Sequence, residues 1–306
     1  MRWHSSPLCV LLFTTLIGWL MASGLKICAF KMDRFNSNKL SNSRLKYTMM
    51  RILSHCDITL LQGVIDPDLS VAKTLTAAVN RYSQRYKDSL FNYVSSEGLG
   101  KDKQRYLFIY RKKMVNVTDK HQYVNSTFLR PPFSVKFQSS KTKIQVFALV
   151  PLHADPAHAV QEIDKLLDVC REVQQNFNTS NLMLLGDFHA GCAHMTRPDK
   201  KRIRLFSDPK FFWLIGDRTD STVDEKTSCP YDRIVVYGKT FLKSIKAFST
   251  KVYNYAKEFK VPKNQVMQLS QHFPVMTVLK SSAHLYQATP LLLVLSVVLW
   301  AAQLSL

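Results

Sequence analysis

The amino-acid sequence predicts an α/β fold in which a two-sheet β-sandwich is flanked by helices. Short apolar segments with strand character outnumber amphipathic helical segments, and the helical segments are dispersed among the strands. This arrangement favours two packed sheets with helices outside them. The chain has 306 residues, 46% of them hydrophobic, and no linker rich in proline, glycine or serine divides it, so one large core is expected.

In the first half of the chain, buried strands alternate with amphipathic helices. The segment LKICAF, which begins at residue 25, predicts a buried strand, and apolar residues at helical spacing predict a helix over residues 39–54. DITLLQGV predicts the next strand, and residues 69–80 predict the next helix. The strands FNYVSS, RYLFIYRKK and VKFQSS complete this half.

The second half repeats this pattern. KIQVFALVPLH predicts a long strand, residues 154–177 predict a helix with proline near its start, and LMLLGDF predicts a strand that ends in a loop. The segment RPDKKRIR is interpreted as a basic loop. The strands DRIVVYG, SIKAFST and PVMTVLK then close the fold.

Both ends of the chain carry targeting patterns. Residues 1–24 combine a basic start, an apolar run and a small-residue end, which is typical of a signal peptide; an N-terminal membrane anchor is the alternative. Residues 281–306 combine small residues, a short spacer and the run PLLLVLSVVLWAA, as in a GPI-anchor signal, with a tail anchor as the alternative. We therefore expect a mature domain over residues 25–280 that enters the secretory pathway and resides at the cell surface or outside the cell.

Asparagine and cysteine patterns fit an exported chain. N-glycosylation sequons begin at Asn116, Asn125 and Asn178. One of the six cysteines falls in the predicted signal peptide, which leaves five. Cys28 lies in an apolar strand and is predicted to be a buried thiol, while Cys56 and Cys170 have no obvious partner. Cys192 and Cys229 lie in loop-like sequence and form the best candidate disulfide.

The chain is strongly basic. Its formal net charge is +20, and loss of residues 1–24 removes one positive charge (20 − 1 = +19). A secreted protein with this charge is expected to bind polyanions such as nucleic acid, heparan sulfate or anionic lipid. Charge alone does not choose among these partners.

Polar loops at the ends of apolar strands are the first candidates for a functional site. These loops are KMDRF, LHADP, GDFHAGC and SQHFP. Active-site side chains concentrate on loops that a rigid scaffold holds at strand ends. The candidates for an acid–base or metal cluster are His153, Asp187, His189, Asp232 and His272, and scattered surface residues are the alternative.

The order of these segments resembles the deoxyribonuclease I family. LKICAF, CDITLLQ, RYLFIYR, LVPLH, LLGDF, SCPYDRIVV and SQHFPV follow the family's order over residues 25–280, and the likeness is greatest to the lipid-anchored deoxyribonuclease I-like 1 branch. The resemblance implies a four-layer sandwich of the endonuclease/exonuclease/phosphatase type. It also implies a site in which two histidines act as acid and base beside Mg²⁺ and Ca²⁺.

Several residues match the family's site. His153 and His272 match the two catalytic histidines, and Asp232 matches the carboxylate partner of His272. Asp187 matches an aspartate close to the metal or the phosphate. The resemblance also assigns phosphate contacts to Arg130 and Thr227 and a structural disulfide to Cys192 and Cys229.

Other positions depart from the family. Metal-binding residues are expected where the chain has Lys31, Gly63 and Gln271, and His189 replaces an asparagine. Gln104 stands where the carboxylate partner of His153 is expected. Divalent cations such as Mg²⁺ and Ca²⁺ prefer oxygen ligands, many of them carboxylates. Only Asp187 would remain as an anionic ligand, so no cofactor is expected.

These departures shape the predicted function. Lys31 and His189 are expected to act as fixed positive charges that face phosphate, so we expect DNA binding with weak or absent metal-dependent endonuclease activity. The alternatives are an active endonuclease with a compensated site and a surface adhesion module that binds polyanions. We expect a monomer whose partners are DNA or another polyanion and, through a lipid anchor, the membrane. Asp33 and Ile65 replace arginines of the family, which argues against family-style docking in the minor groove.

Overall fold

The structure, a computed structural model, describes residues 24–85, 90–124 and 127–282. These residues form two six-stranded sheets that pack face to face, with helices against both outer faces. The predicted α/β two-sheet sandwich with four layers is therefore confirmed.

Twelve strands build the two sheets in the described part of the chain. In chain order they are β1 (Leu25–Phe35), β2 (Ile58–Ile65), β3 (Phe91–Ser95), β4 (Gln104–Arg111), β5 (Asn116–Gln122), β6 (Phe133–Gln138), β7 (Val146–Pro151), β8 (Leu182–Asp187), β9 (Phe211–Trp213), β10 (Asp232–Tyr237), β11 (Lys251–Val252) and β12 (Val275–Leu279). The first sheet has the order β11-β12-β1-β2-β4-β3, and the second has the order β5-β6-β7-β8-β10-β9. β1 runs parallel to β2 and β7 parallel to β8, and the other neighbouring strands are antiparallel.

Helices connect the strands and cover the sheets. They are α1 (Ser37–Ser41), α2 (Ser43–His55), α3 (Ser70–Arg85), α4 (Ala159–Phe177), α5 (Arg197–Arg202), α6 (Arg204–Ser207), α7 (Lys239–Ser244), α8 (Tyr255–Phe259) and α9 (Lys263–Leu269), with a 3₁₀ turn at Cys192–His194. Helices α2 and α3 pack on the first sheet, and α4 packs on the second.

The period-two alternation of β1 divides its side chains between two cores. Ile27 and Ala29 face the second sheet in the central core, whereas Cys28 and Phe30 lie in the outer core beneath α2 and α3. Because both faces of the first sheet are covered, its central strands are buried throughout. This explains why the corresponding segments are almost continuously apolar.

Two predicted segments differ from the structure, and helix caps explain both differences. The single helix predicted over residues 39–54 is divided at Asn42, whose Oδ1 accepts from the backbone N–H groups of Arg44 (3.0 Å) and Leu45 (3.3 Å). The segment RPDKKRIR is not a loop but forms α5 and α6. Thr196 and Asp199 close a capping box at the start of α5.

The predicted strand SIKAFST is wrong. Ser244 ends α7, and residues 246–249 form a turn in which the N–H of Ser249 donates to the carbonyl of Lys246 at 3.2 Å. Lys251–Val252 pairs with β12, and within SIKAFST Ile245 forms only an isolated bridge, to Leu279. The alternation of apolar residues in this segment therefore belongs to a helix end and a turn.

The cysteine predictions are partly confirmed. Cys192 and Cys229 form the predicted disulfide, with a Cα–Cα distance of 5.8 Å. The prediction of a free Cys28 is wrong, because Cys28 is bonded to Cys56 with a Cα–Cα distance of 6.1 Å. Cys56 follows α2, which packs on the outer face of β1, so the two residues meet only through tertiary structure. Cys170 is a buried free thiol.

Several predictions fall on residues that the structure does not describe. These include the predicted signal peptide over residues 1–24, of which only Gly24 is described, the predicted anchor segment over residues 281–306, of which only Ser281 and Ser282 are described, and the sequon at Asn125. The other two sequon asparagines, Asn116 and Asn178, are exposed. Among the described residues, no helix combines the length and the apolar character needed to cross a membrane.

Candidate active site

The predicted site residues meet where strands of both sheets end. His153 follows β7, Asp187 ends β8, Asp232 begins β10 and His272 lies just before β12. Asp187 and Asp232 are direct neighbours in the antiparallel β8–β10 register. The prediction that these loops form one cleft is therefore supported by the geometry.

One side chain of the first sheet holds the loops of the second. Gln62, fully buried in β2, donates from Nε2 to the carbonyl of Leu152 (2.7 Å) and accepts from the N–H of Asp187 (3.0 Å). Gly186 makes room for it, because a Cβ at this position would lie 2.5 Å from Nε2 of Gln62. The segments that carry His153 and Asp187 are thus fixed relative to β2.

His272 and Asp232 form a buried dyad. Nδ1 of His272 lies 2.7 Å from Oδ2 of Asp232, and that oxygen also accepts from Oγ of Ser221 at 2.8 Å. Burial disfavours the charged imidazole, but the carboxylates of Asp232 and Asp187 outweigh it and raise the pKa of His272 above its usual value. His272 therefore retains a proton more readily than an exposed histidine does.

Asp187 provides a buried negative charge beside this dyad. Its Oδ1 accepts from the backbone N–H of His189 (3.1 Å) and lies 2.8 Å from Nδ1 of the same residue. Its Oδ2 lies 4.0 Å from Nε2 of His272 and has no hydrogen-bond partner among the described residues. Burial alone would raise the pKa of Asp187, but His272 and His189 hold it well below its usual value. Asp187 is consequently ionised at neutral pH.

His153 lies in a different electrostatic environment. Its backbone N–H donates to the hydroxyl of Tyr106 (2.9 Å), which itself donates to the carbonyl of Arg130 (3.0 Å). Within the described residues no side-chain hydrogen bond orients its ring. Burial and the positive charge of Arg130 hold the pKa of His153 well below its usual value. The imidazole is therefore neutral at physiological pH, the form that accepts a proton.

Gln104, which stands at the expected position of a carboxylate, contacts another acid instead. Its Nε2 donates to Oδ2 of Asp102, and its Oε1 is buried without a partner among the described residues. Nη2 of Arg130 donates to the same Asp102 oxygen at 2.9 Å, whereas Nε and Nη1 of Arg130 are buried and unpartnered. Asp102, which the sequence reasoning missed, thus offsets part of the charge of Arg130.

Lys31 is also paired with an acid of the first sheet. Its Nζ lies 2.6 Å from Oδ1 of Asp33, and Oδ2 of Asp33 accepts from the backbone N–H of Gln271 at 3.0 Å. The charge of Lys31 nevertheless acts on the cleft: after burial and Arg130 it contributes to the lowered pKa of His153, and it opposes the net rise in the pKa of His272. The side chain of Gln271 is exposed.

Gly63 lies at an irregularity between β1 and β2 that excludes a side chain. The β1–β2 register shifts between Lys31 and Phe35, the β2–β4 register shifts between Leu61 and Val64, and Gly63 has a φ of +71°. A Cβ at this position would lie 2.0 Å from the carbonyl oxygen of Met32. The backbone here is therefore incompatible with the glutamate that the resemblance leads one to expect at this position.

The remaining predicted residues lie around the dyad. The backbone carbonyl of Thr227 accepts from Oγ1 of Thr222 at 2.5 Å, and Thr222 forms a β-bridge with His272. The His189 ring stacks on Tyr231 with a centroid distance of 4.8 Å, and Tyr231 lies 5.7 Å from the ring of His272. Tyr231 was not predicted as a site residue, although it precedes Asp232 directly.

A buried glutamate that the sequence reasoning missed joins two loops of the cleft. Glu162, in α4, accepts from the N–H of Leu129 at Oε1 (2.8 Å) and from the N–H of Asp155 at Oε2 (3.1 Å). Leu129 precedes Arg130, and Asp155 lies two residues after His153. Burial raises the pKa of Glu162 to about 7, against the opposing effect of these two hydrogen bonds. Glu162 therefore positions the segments that carry Arg130 and His153.

The described residues do not fit a resident divalent cation. Ligand atoms of Asp187, Asp232 and His272 lie within 4.8 Å of one another, and Asp187 Oδ2 and Asp232 Oδ1 have no hydrogen-bond partner there. However, Nδ1 of His272 is already bonded to Asp232, and His189 and Lys31 add positive charge. Ca²⁺ needs six to eight oxygens, and Mg²⁺ a near-octahedral set. Position 63 cannot supply a further carboxylate in this backbone.

Solved structures share this fold at low sequence identity. An endonuclease/exonuclease/phosphatase from Bacteroides vulgatus has a TM-score of 0.56 and 13% identity, and the match covers 85% of this chain and 100% of that chain. D. rerio TDP2 complexed with single strand DNA product has a TM-score of 0.53 and 14% identity, and the match covers 83% of this chain and 98% of that chain. At these identities the likeness shows the fold alone.

Sequence relatives show the family. No protein-family model matches the chain. Mouse deoxyribonuclease-1-like 2 (Mus musculus) is 39% identical over 285 residues, which cover 92% of this chain and all of that protein. Mouse deoxyribonuclease gamma (Mus musculus) is 36% identical over 84% of this chain and 85% of its own length, and human deoxyribonuclease-1 (Homo sapiens) is 38% identical over 85% and 93%. With relatives of this identity matched along nearly their whole length, the chain belongs to the deoxyribonuclease I family.

Proposed function

We propose that this protein binds DNA phosphodiesters in the cleft between His153 and His272, and that metal-dependent cleavage there is weak or absent. The relatives are deoxyribonucleases, and a protein of the same fold is described in complex with single strand DNA product. The chain's net charge of +20 favours a polyanionic ligand.

The observation that carries the proposal is the state of Arg130. Its side chain is 11% exposed, and Nε and Nη1 have no hydrogen-bond partner among the described residues. Buried guanidinium N–H groups without a partner are costly, so a shift of this side chain towards the cleft that let a phosphate oxygen reach them would form charge-assisted hydrogen bonds. Because the charge of Arg130 also acts on His153, a phosphate held by Arg130 would lie in the cleft.

Weak metal dependence follows from the charges of the first sheet. Lys31 stands in β1 beside the histidines, Gly63 excludes a side chain in β2, and Gln104 is neutral. A divalent ion in this family would stabilise the negative charge that develops on the phosphate. Here Lys31, Arg130 and the imidazole of His189 would supply fixed positive charge instead.

A second candidate function, slow hydrolysis without metal, is favoured by the two histidines. The pKa of His272 is raised and that of His153 is lowered, the separation expected of a general acid and a general base. His153 would accept the proton of the attacking water, and His272 would donate to the leaving oxygen. The lack of a side-chain partner for the His153 ring would keep this rate low.

The proposed setting is the secretory pathway and the cell surface or extracellular space. Two disulfides, Cys28–Cys56 and Cys192–Cys229, support an oxidising compartment. The exposed sequon residues Asn116 and Asn178 are available for glycosylation. We retain the lipid anchor and the monomeric state as proposals.

The test is to incubate the secreted protein with supercoiled plasmid across pH, with Mg²⁺, Ca²⁺ or chelator. We expect plasmid retardation that persists in chelator, weakens steeply with salt and falls about tenfold in Arg130→Ala, because a charge-assisted contact is lost. Arg171→Ala, which removes an arginine with 64% side-chain exposure, is the matched control and leaves retardation unchanged.

Nicking distinguishes the alternatives. Efficient nicking that requires metal and disappears in His153→Ala would contradict the proposal and show a compensated endonuclease. Nicking in chelator that depends on both histidines would favour slow metal-free hydrolysis. Retardation that heparin abolishes and that neither Arg130→Ala nor His153→Ala affects would instead indicate a polyanion-binding surface outside the cleft.

A further inference from the structure

The end of the sandwich opposite the cleft carries a continuous basic surface. Three segments of this end, residues 139–143, 239–251 and 280–282, contain seven lysines and no aspartate or glutamate. All seven are exposed and none forms an ion pair within the described residues. They are Lys141, Lys143, Lys239, Lys243, Lys246, Lys251 and Lys280, which we term the lysine face.

Backbone hydrogen bonds join the three segments into one surface. The N–H of Lys246 donates to the carbonyl of Val278 (2.8 Å), and the N–H of Lys280 donates to the carbonyl of Ser244 (2.7 Å). The N–H of Lys143 donates to the carbonyl of Lys280 at 2.9 Å. The three segments of the lysine face are therefore held next to one another at this end of the sandwich.

An aromatic side chain projects from this surface. Phe248 has a relative exposure of 103% and stands at the tip of the turn between Lys246 and Lys251, with a φ of +58°. No other large hydrophobic residue in the described part of the chain is as exposed. Burial of this ring against an apolar partner would be favourable, and the lysines on either side of the turn would lie close to that partner.

Most of the lysine face lies at the end of the sandwich away from the cleft, whereas Lys251, opposite Met276, lies further back along β12. Strand β12 begins at Val275, just after His272, and ends at Leu279, beside Lys280. Four residue steps at about 3.4 Å separate its ends by roughly 14 Å. The chain continues from this end into residues 283–306, which contain the apolar run PLLLVLSVVLWAA. A surface at this end can approach a membrane while the cleft remains open to solvent.

We propose that the lysine face binds an anionic lipid surface, with the Phe248 ring inserted at the boundary between headgroups and acyl chains. Lysines near an anionic bilayer gain Coulomb energy, and an aromatic ring gains from burial at the interface. A soluble polyanion would match the lysines but would leave the Phe248 ring in water. This combination of charge and apolar tip therefore favours a membrane over heparan sulfate or DNA.

The first test places a fluorescent probe at the tip. In the full chain, Phe248→Trp is compared with Tyr47→Trp, a control at an aromatic residue that is 49% exposed in α2. Vesicles of phosphatidylcholine alone and with phosphatidylserine are added. After subtraction of the emission of the wild-type chain, which contains the native tryptophans, we expect a blue shift only for Phe248→Trp and only with phosphatidylserine. No shift for Phe248→Trp would overturn the proposal, whether or not residues 283–306 also attach the chain to the vesicles.

The second test measures vesicle affinity by flotation. Phe248→Ser is expected to weaken binding to phosphatidylserine vesicles about tenfold, and Lys243→Glu with Lys246→Glu about a hundredfold, the latter effect shrinking at high salt. The control, Lys73→Glu with Lys101→Glu, changes two exposed lysines of other segments and leaves vesicle binding unchanged.

Competition with polyanions separates the two kinds of partner. Variants of the lysine face that lose heparin or plasmid binding while they keep vesicle binding would overturn the proposal and identify a polyanion surface. Because Phe248 is fully exposed, its replacement does not disturb the core, and an unchanged thermal unfolding transition verifies this.

Discussion

The two sheets contribute to the cleft in opposite ways. The second sheet supplies Asp187 and Asp232, whose oxygens Oδ2 and Oδ1 respectively have no hydrogen-bond partner among the described residues. The first sheet brings Asp33 and Asp102, but these are paired with Lys31 and Arg130. The carboxylate oxygens without a partner among the described residues therefore come from the second sheet, whereas the acids of the first sheet are paired with Lys31 of β1 and with Arg130, which precedes β6.

This difference suggests which parts of a nuclease site can change independently. The His272–Asp232 dyad depends on β10 and the start of β12, and it is complete. Of the positions that the resemblance assigns to metal, Lys31 and Gly63 lie on β1 and β2, and the backbone at Gly63 leaves no room for a side chain. Gln271 and Asp187 lie beside the dyad, so loss of the metal ligands while the dyad is kept stays a prediction.

The largest expected effect tests whether the first sheet can accept an acid. Gly63→Glu should lower the free energy of unfolding by about 3 kcal/mol, because it places a Cβ 2.0 Å from the Met32 carbonyl at a positive φ. Chemical denaturation measures this. Gly216→Glu, where the nearest atom is 3.9 Å from the added Cβ, should change stability by no more than about 0.5 kcal/mol. A stable Gly63→Glu protein with tight Ca²⁺ binding would show that the backbone readjusts.

The next largest effect is expected from a change in the His272–Asp232 dyad. Asp232→Asn should lower the pKa of His272 and destabilise the fold by about 2 kcal/mol, because two hydrogen bonds to a charged acceptor are weakened. The folded-state pKa of His272 is raised, so its stabilisation is present below the unfolded pKa and is lost as pH rises through the folded value.

The difference in the free energy of unfolding between the wild type and Asp232→Asn is therefore greatest below the unfolded pKa of histidine, about 6.5, and shrinks at alkaline pH. Urea denaturation at several pH values measures it, and NMR titration follows the imidazole. Ser221→Ala, which keeps the dyad, should cost about 1 kcal/mol. A loss in Asp232→Asn that is equal at all pH values would contradict the proposed ionisation of His272.

A smaller effect is expected from a carboxylate beside His153. Gln104→Glu places a negative charge at a buried position of the first sheet, which should raise the pKa of His153 by about one unit. NMR titration measures the shift. Gln268→Glu, on the exposed side of α9, should leave it unchanged. If Gln104→Glu has no effect, Asp102 and Arg130 screen position 104 from the histidine.

The smallest effect tests the pairing of Lys31. Asp33→Asn removes the partner at 2.6 Å, so Lys31 gains freedom to bind phosphate and DNA affinity should rise about threefold. Fluorescence anisotropy of a labelled duplex at low salt measures the change. Asp119→Asn, an exposed acid in β5, serves as the control for net charge. Equal gains in both variants would mean that Lys31 does not face the ligand.

The proximity of His153, Asp187, Asp232 and His272 could be predicted from the sequence for a geometric reason. Parallel and antiparallel strands of a packed sandwich bring their ends together, so polar loops after β7 and β8 and before β12 meet in one cleft. This placed His153, Asp187 and His272 correctly relative to Asp232. The roles assigned to these residues stay predictions.

Other contacts could not be predicted because they join distant parts of the chain. Gln62 contacts Leu152 and Asp187 across 90 and 125 residues, and no local pattern marks it. Glu162 looks like an ordinary helical glutamate until α4 is packed against the loops. The Cys28–Cys56 bond depends in the same way on the packing of α2 over β1, and SIKAFST was misassigned because alternation in a short segment does not distinguish a strand from a turn.

The free thiol in α4 has a consequence for the covalent structure. Cys170 is buried, and burial raises its pKa well above the usual value, so thiolate is scarce in the folded state. Thiolate is the species that attacks disulfides, and a buried sulfur cannot reach one. Once α4 has docked on the second sheet, the odd cysteine cannot exchange with Cys28–Cys56 or Cys192–Cys229. The native pairing is then protected from internal reshuffling by the same core that stabilises the fold.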